Sequence, residues 1–350
     1  MLTSRDVAAE AGVSQTTVSR VISGSPLVTA DTRRRVLEAM AQMGYQPNHA
    51  ARAMRTQRSG TIGVVVADVL NPFYPAVIAA ASRDLSRRGQ RLLLWESDFG
   101  EDHVATEAIT QRLVDGLLFT TAVPSSPALL GALAAAAPIV LLNRTVPGLA
   151  CDQVDSNNQA MSFDVARYFA AAGHERVGLI SADQAASTAG LREKGFREGV
   201  AASGLRLRAS SAHPGEFSHK GGHRALMAIM SARGPTPTAV FCVNDLSALG
   251  ALDAARSLGI RVPDDLWIVG YDDIDMASWE AFDLSTARQP VDAMVSCAVD
   301  LLLARIEAPT LPFRHFQFPA TFAARGSTAA VPFLGRPTPD TDAEAVVVSQ

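Results

Sequence analysis

The sequence predicts a small all-α helix-turn-helix head followed by an α/β body made of two doubly wound parallel-sheet lobes. Three observations carry this. Residues 3 to 44 show helical spacing interrupted by a glycine turn; from Thr61 onward, continuous Val/Ile/Leu runs alternate with amphipathic segments; and charge is divided unevenly along the chain. Residues 1 to 60 hold eight arginines against four acids, a balance of +4, whereas the full 350 residues carry −4 and the remainder therefore −8. A basic head on an acidic body is expected where only the head meets a polyanion.

In the head, Thr3 can cap a first helix with Asp6 placed to reciprocate, and Val7, Ala8 and Ala11 follow until Gly12 ends it. A second helix runs through QTTVSRVI, with Val18, Val21 and Ile22 on one face and Gln15, Thr16, Ser19 and Arg20 elsewhere. Helix, tight glycine turn, helix is the plan of a DNA-binding helix-turn-helix. Gln15, Thr16 and Arg20 have the donors and acceptors that base edges require, although a plain solvated face would also look like this. Thr29 caps a third helix whose Val36, Leu37, Met40 and Met43 can close the small core, while Arg33, Arg34 and Arg35 are expected on phosphates or in solvent. Residues 47–59 are Arg-rich with Met54 as the large apolar residue, too short and polar to hold a helix alone in water.

In the body, TIGVVVAD, RLLLWES, GLLFTT, PIVLLN, RVGLISA, TAVFCVN and LWIVGYDD read as buried strands of parallel sheets covered on both faces. The run is too long for one sheet and divides near residue 160. Residues 334–350, rich in Pro, Asp and Thr, read as a disordered tail. Two such lobes leave a cleft at the carboxyl ends of their strands. Asp68, Asn71, Phe73 and Tyr74 follow the first strand, Arg192 follows the SADQAAST loop, and Asn244, Asp245, Tyr271, Asp272 and Asp273 end two others. Carboxylates, an Arg fork and flat rings suit a hydroxyl-rich ligand. Asp245 and Asp273 read better as helix caps and Tyr271 as core.

Other function classes are disfavoured. Cys151, Cys242 and Cys297 are odd in number and form no CxxC pair, so a disulfide framework or zinc knuckle is unsupported. The seven histidines form no HExxH, and no GxSxG, Walker or GxGxxG element occurs, so neither an enzyme nor a cofactor or metal is expected. The N-terminus is charged where a secretory signal would be apolar, and the longest apolar stretch, 129–142, is interrupted by Pro138. A cytosolic protein with no membrane contact is expected.

TSRDVAAEAGVSQTTVSRVISG followed by TRRRVLEAMAQMGYQPNHAAR closely resembles the head of the lac and galactose repressor family of bacterial transcription regulators. The resemblance continues through GVVVADVLNPFY, VDGLLF, PIVLLNR, AAAGHERVGLIS, LREKGFREG, FCVNDLSALGAL, IVGYDD and RGST, to about residue 328. It implies a DNA-binding head over 1–46, a hinge segment over 47–59 and a periplasmic-binding-protein-like body over 60–333, with crossovers near 288 and 319. It also implies Gln15, Thr16 and Arg20 as base readers, Thr17 and Ser19 on phosphates, and Thr3, Asn48 and Arg52 as further DNA contacts. Met54 stands where the family's hinge helix wedges an apolar side chain, most often Leu, into the minor groove. For the effector, the resemblance implies Phe73, Tyr74, Arg192, Phe217, Asn244 and Asp272; at a position where the family often has Asp-Asn, this chain has Ser156-Asn157. The implied function is a repressor that binds double-stranded operator DNA as a homodimer. Its small-molecule effector is a sugar, with a purine or nucleoside as the alternative.

Overall fold

The computed structural model describes residues 2–22, 25–45, 58–96, 103–329, 332–333 and 345–348. The chain forms two compact units, Met1–Ser59 and Gly60–Gln350. Asn48, Arg52 and Met54, with most of the expected hinge segment, lie outside the described residues. Among the described residues no helix is long and apolar enough to cross a membrane.

The head is built from α1 (Ser4–Glu10), α2 (Gln15–Ile22) and α3 (Ala30–Met43). The backbone N–H and the hydroxyl of Thr3 both donate to the Asp6 carboxylate at 2.8 Å. These bonds, the backbone one first, hold Asp6 below the usual carboxylate range. Ser14 accepts the Thr17 N–H at 3.1 Å to start α2, and Gly44 at φ +64° ends α3 in the left-handed conformation glycine favours. Val7, Ala8, Ala11, Val18, Val21, Val36 and Ala39 form the core. Leu37 does not join it: the residue is 52% exposed, because one step along a helix turns its side chain about 100° away from Val36.

Of the three adjacent arginines, Arg34 keeps the expected solvated position, whereas Arg33 and Arg35 also bond to backbone. Arg33 donates to the Ser25 carbonyl at 2.7 Å, Arg34 pairs with Asp31 and Glu38, and Arg35 donates to the carbonyls of Ala11 and Gly12. Each is held by the protein itself. Arg35 takes up carbonyl groups that the end of α1 leaves without helical partners.

The body runs β1 (Thr61–Val66), α4 (Phe73–Arg87), β2 (Arg91–Glu96), α5 (His103–Thr110), β3 (Gly116–Phe119), α6 (Pro127–Ala134), β4 (Ile139–Leu142) and β5 (Asp152–Ser156). It continues with α7 (Asn158–Ala171), β6 (Arg176–Ser181), α8 (Ser187–Ala202), β7 (Arg206–Pro214), α9 (His219–Ser231), β8 (Ala239–Cys242), α10 (Asp245–Ser257) and β9 (Trp267–Asp272). β10 (Ser285–Arg288), α11 (Val291–Glu307), β11 (His315–Phe318), β12 (Thr321–Ala323) and β13 (Val346–Val348) complete it. The first lobe has strand order β13-β11-β5-β4-β3-β1-β2 and the second β12-β10-β9-β8-β6-β7. All pairings are parallel except the edge strands β12 and β13. Both faces of the second sheet are covered: along β8, Val240 and Cys242 enter one apolar cluster and Phe241 another, following the two-residue alternation of a strand.

The chain crosses between lobes through described residues three times, between β5 and α7, between β10 and α11, and between β11 and β12, and β13 lies back on the first sheet. Hydrogen bonds tie these crossings together. The Ser156 hydroxyl donates to Gln289 Oε1 at 2.9 Å, and Asn157 Oδ1 accepts the Ala320 N–H at 2.7 Å.

Two expectations for the body need correction. RLLLWES forms β2, but as the sheet edge it leaves Leu93 and Leu94 exposed instead of buried. Within the segment expected to be a disordered tail, Val346–Val348 pairs antiparallel with β11, since three β-branched residues suit an open sheet edge.

Arg35→Ala is expected to destabilise the head by about 1 kcal/mol through the lost carbonyl bonds, while Arg34→Ala, on an exposed face, leaves its melting unchanged. Hydrogen exchange at the end of α1 reads the difference; equal protection in both variants would contradict it.

Candidate functional site

In the head, Gln15, Thr16 and Arg20 are exposed on α2, while Thr17 and Ser19 are half-buried. Gln15 does not project freely: its Nε2 donates to the Ser4 hydroxyl at 2.9 Å and its Oε1 accepts from Arg5 Nε at 3.4 Å. Thr16 and Arg20 thus share an exposed polar face with a Gln15 amide pinned to the start of α1. Thr3 is committed to Asp6, as described above.

In the body, the chain after β1, β3, β4, β6 and β7 and at the end of β9 lines one interlobe cavity of about 290 Å³. Phe73 and Tyr74 enter it from the start of α4, with ring centroids 5.6 Å apart and an interplanar angle of 74°. From the second lobe, Arg192 on α8 is 2% exposed. Its Nε donates to Asn158 Oδ1 at 2.7 Å, and its Nη1 to the Val243 carbonyl at 2.7 Å and to Asp272 Oδ1 at 3.1 Å. The guanidinium lies 3.7 Å from the centroid of the Tyr271 ring. Asp272 Oδ1 also accepts from Gln289 Nε2 at 2.8 Å, so both of these bonds fall on one oxygen. Burial pushes the Asp272 carboxyl up from its ordinary range, and Arg192 pulls it partly back.

Five of the six expected effector residues, Phe73, Tyr74, Arg192, Phe217 and Asp272, therefore line one cavity. Asn244 does not. Its Oδ1 accepts the Ser247 N–H at 3.1 Å and caps α10, and its Nδ2 donates to the Phe217 carbonyl at 3.4 Å. Asn244 therefore holds the Phe217 loop, whose Glu216 and Phe217 both adopt left-handed φ, +56° and +52°. Ser156 and Asn157 serve the crossings between lobes. Asp245 is fully buried, accepting from the Thr286 hydroxyl at 2.6 Å and the Ile274 N–H at 2.9 Å, and burial pushes its carboxyl well up.

Sequence reasoning missed Asn143 and Arg144, which line the cavity directly after β4 and are each 5% exposed. The signal was available: a buried apolar strand that ends abruptly in Asn-Arg puts two polar side chains at its carboxyl end. Across the cleft, Arg144 lies 5.8 Å from the Phe217 ring centroid, and the Thr145 N–H donates to the Ser187 hydroxyl at 2.8 Å. A larger cavity of about 690 Å³ lies along α4 and the start of α11. Its charged groups are already paired, Arg83 with Asp292 at 2.7 Å and Arg288 with Asp273 at 2.5 Å. The smaller cavity is the one that Tyr74, Arg192 and Phe217 line together with Phe73 and Asp272.

Two family models match the chain. Residues 3–48 match the lacI family of bacterial regulatory proteins, and 166–328 match the periplasmic binding protein-like domain. The chain is 33% identical over 306 residues to the HTH-type transcriptional regulator GalS of Salmonella typhimurium, covering 87% of this chain and 89% of that one. This chain belongs to the lacI family. Within the family, its structure is similar to a complex of the transcriptional regulator CelR with cellobiose, with a TM-score of 0.72, 30% identity, and 93% and 100% of the two chains covered. It is likewise similar to the lac repressor dimer bound to operator and the anti-inducer ONPF, with a TM-score of 0.81, 25% identity, and 94% and 99% covered. Members of the lacI family are transcriptional regulators, and this one has their two parts, a helix-turn-helix head and a two-lobed body.

Asp272→Ala is expected to leave Arg192 buried without its counter-charge and to destabilise the body by about 3–5 kcal/mol, read from urea unfolding. A loss under about 1 kcal/mol would show that the pair is dispensable. Asp245 gives a pH prediction. Its folded pKa is raised, so its contribution is fully present below the unfolded value near 3.8 and is lost as pH rises through the folded value. Asp245→Asn should therefore flatten the fall of the unfolding midpoint above pH 4; an unchanged slope would contradict the assignment.

Proposed function

We propose that the protein is a transcriptional repressor acting in the cytosol, without catalytic activity, that binds a palindromic operator as a homodimer and is controlled by a sugar held between its lobes. The observation that carries this reading is the presence, in one chain, of an exposed polar face on α2 and an interlobe cavity whose buried ion pair touches the lobe crossings. Gln15, Thr16 and Arg20 read bases in the major groove. Thr3, Thr17, Ser19, Asn48 and Arg52 fix the backbone, and Met54 serves as the minor-groove wedge.

The effector acts by linkage. Phe73 and Tyr74 offer ring faces from one lobe, while Arg192, Phe217 and Asp272 offer stacking and hydrogen bonds from the other. A ligand bridging them biases the lobe arrangement, and through the dimer the spacing of the two heads. The mixture of aromatic faces and carboxylates supports a sugar over a purine. The CelR-cellobiose relative supports the same class.

Arg20→Ala should lose about 1 to 3 kcal/mol on the preferred operator and relax its base preference, whereas Arg58→Ala should weaken all sequences alike and reduce the salt slope by about one. Titrations against operator variants at several salt concentrations check both; the reverse pattern would overturn the placement. Operator binding should also respond to at least one of D-galactose, D-ribose and cellobiose and not to adenosine or guanine. A response to the purines alone would replace the sugar reading.

A further inference from the structure

The match to the family's body ends at residue 328, and beyond it the chain is held at two places. In the second lobe, the Phe333 ring stacks on Phe322 of β12, with centroids 4.2 Å apart and planes inclined by 10°. Tyr168 completes the group, 4.9 Å from Phe322 and 5.4 Å from Phe333, and its hydroxyl donates to the Ala329 carbonyl at 3.3 Å. In the first lobe, Val346–Val348 pairs antiparallel with β11, Val346 opposite Gln317 and Val348 opposite His315, while Ala345 and Phe316 both pack against the core.

The two anchors are not on unrelated strands. β11 ends at Phe318 and β12 begins at Thr321, so the strands they hold flank the third lobe crossing, with residues 319–320 between them. Each is weakly held by its own sheet. Without β13, β11 would be the edge of the first sheet, with β5 as its neighbour; β12 is the edge of the second, three residues long, with β10 as its neighbour. An edge strand leaves one side of its backbone unpaired and opens more readily than an interior one. β13 supplies the second neighbour to β11, and Phe333 supplies a stacked ring to β12. The first two crossings are bonded to each other through Ser156 and Gln289. At the third, Asn157 holds the connecting residues, and the C-terminal anchors hold the strands on either side. The chain also closes a ring, leaving the first lobe at 319–320 and lying back on its sheet at Val346, so β12 is joined to β11 from both of its ends.

We propose that Phe333 and Val346–Val348 act together as a brace on the third crossing, pinning the strand on each side of it and so limiting how far the two lobes turn relative to one another. The brace acts against any ligand that changes the lobe arrangement, whatever its chemical class, and does not depend on the cleft holding a sugar. It is a regulatory device carried by the part of the chain that follows the match to the family's body.

The test reads the spread of interlobe distances by double electron–electron resonance. Spin labels are placed through Leu130→Cys in the first lobe and Arg206→Cys in the second, both at exposed positions, with Cys297→Ala removing the partly exposed native thiol. Labelled chain is diluted with unlabelled chain, and the full-length protein is compared with a chain ending at Glu344 and with Phe333→Ala. Both altered forms should give a broader distance distribution than the full-length protein. Amide exchange should quicken at least about tenfold in β11 and in β12 in each of them, while the interior strands β1 and β8 stay unchanged. Should Phe333→Ala lose its native circular dichroism, Phe333→Leu, which keeps apolar volume without the stacked ring, takes its place. An unchanged distance distribution in either altered form would overturn the proposal. So would faster exchange confined to the strand that lost its neighbour, β11 in the shortened chain and β12 in the Phe333 variant, because two independent covers would behave in that way.

Discussion

The body is organised around the buried contact between Arg192 and Asp272. Burying two opposite charges gains little stability in itself, because their desolvation roughly cancels their attraction; removing one partner is what is expensive. The pair therefore fixes geometry more than it adds stability. Arg192 reaches Asn158 at the start of α7, the Val243 carbonyl at the end of β8, and Asp272 at the end of β9. Asp272 is joined through Gln289 to Ser156, so two of the three lobe crossings meet at one carboxylate. Asn157 links the third crossing through Ala320. A ligand that touches Asp272 touches the group on which the relative placement of the lobes depends.

Backbone strain collects in the same region. Asp272 at φ +119°, Asp273 at φ +57°, Asn143 at φ +73° and the Glu216–Phe217 pair are non-glycine residues in left-handed conformations. Such residues cost on the order of 1 to 3 kcal/mol each and persist where surrounding contacts over-determine them. Here those contacts are the ion pair, the Asn244 cap and the buried ends of β4 and β9. The remainder of the body, with its cores covered on both sheet faces, supplies the rigidity against which this strain is held.

Much of this architecture was legible in the sequence, and what was not had physical reasons. The strongly apolar strands β1, β3, β4, β6, β8 and β9 announce themselves through Val/Ile/Leu runs. β5, β7 and β10 do not, because CDQVDS, RLRASSAHP and STAR are polar and become strands only by pairing with distant neighbours. The lining of the interlobe cavity was readable for Phe73, Tyr74, Arg192 and Asp272, which end a parallel strand or lie on the helix that follows one, since that side of a parallel sheet is a place rather than a partner. Asn244, expected beside the ligand, caps α10 outside the cavity lining; a residue that caps a helix and one that meets a ligand look alike in sequence. In the head, adjacent arginines suggested phosphates or solvent, and Arg33 and Arg35 also find backbone carbonyls that only the folded turn brings within reach.

The central claim is that one chain carries an operator site and an effector site whose occupancies are thermodynamically coupled through the crossings. Reciprocity is its most direct test. The factor by which the effector changes operator affinity should equal the factor by which operator DNA changes effector affinity, both measured by titration at the same salt concentration. Equal factors different from one are the predicted result. An effector that binds the free and operator-bound protein with the same affinity would contradict the account.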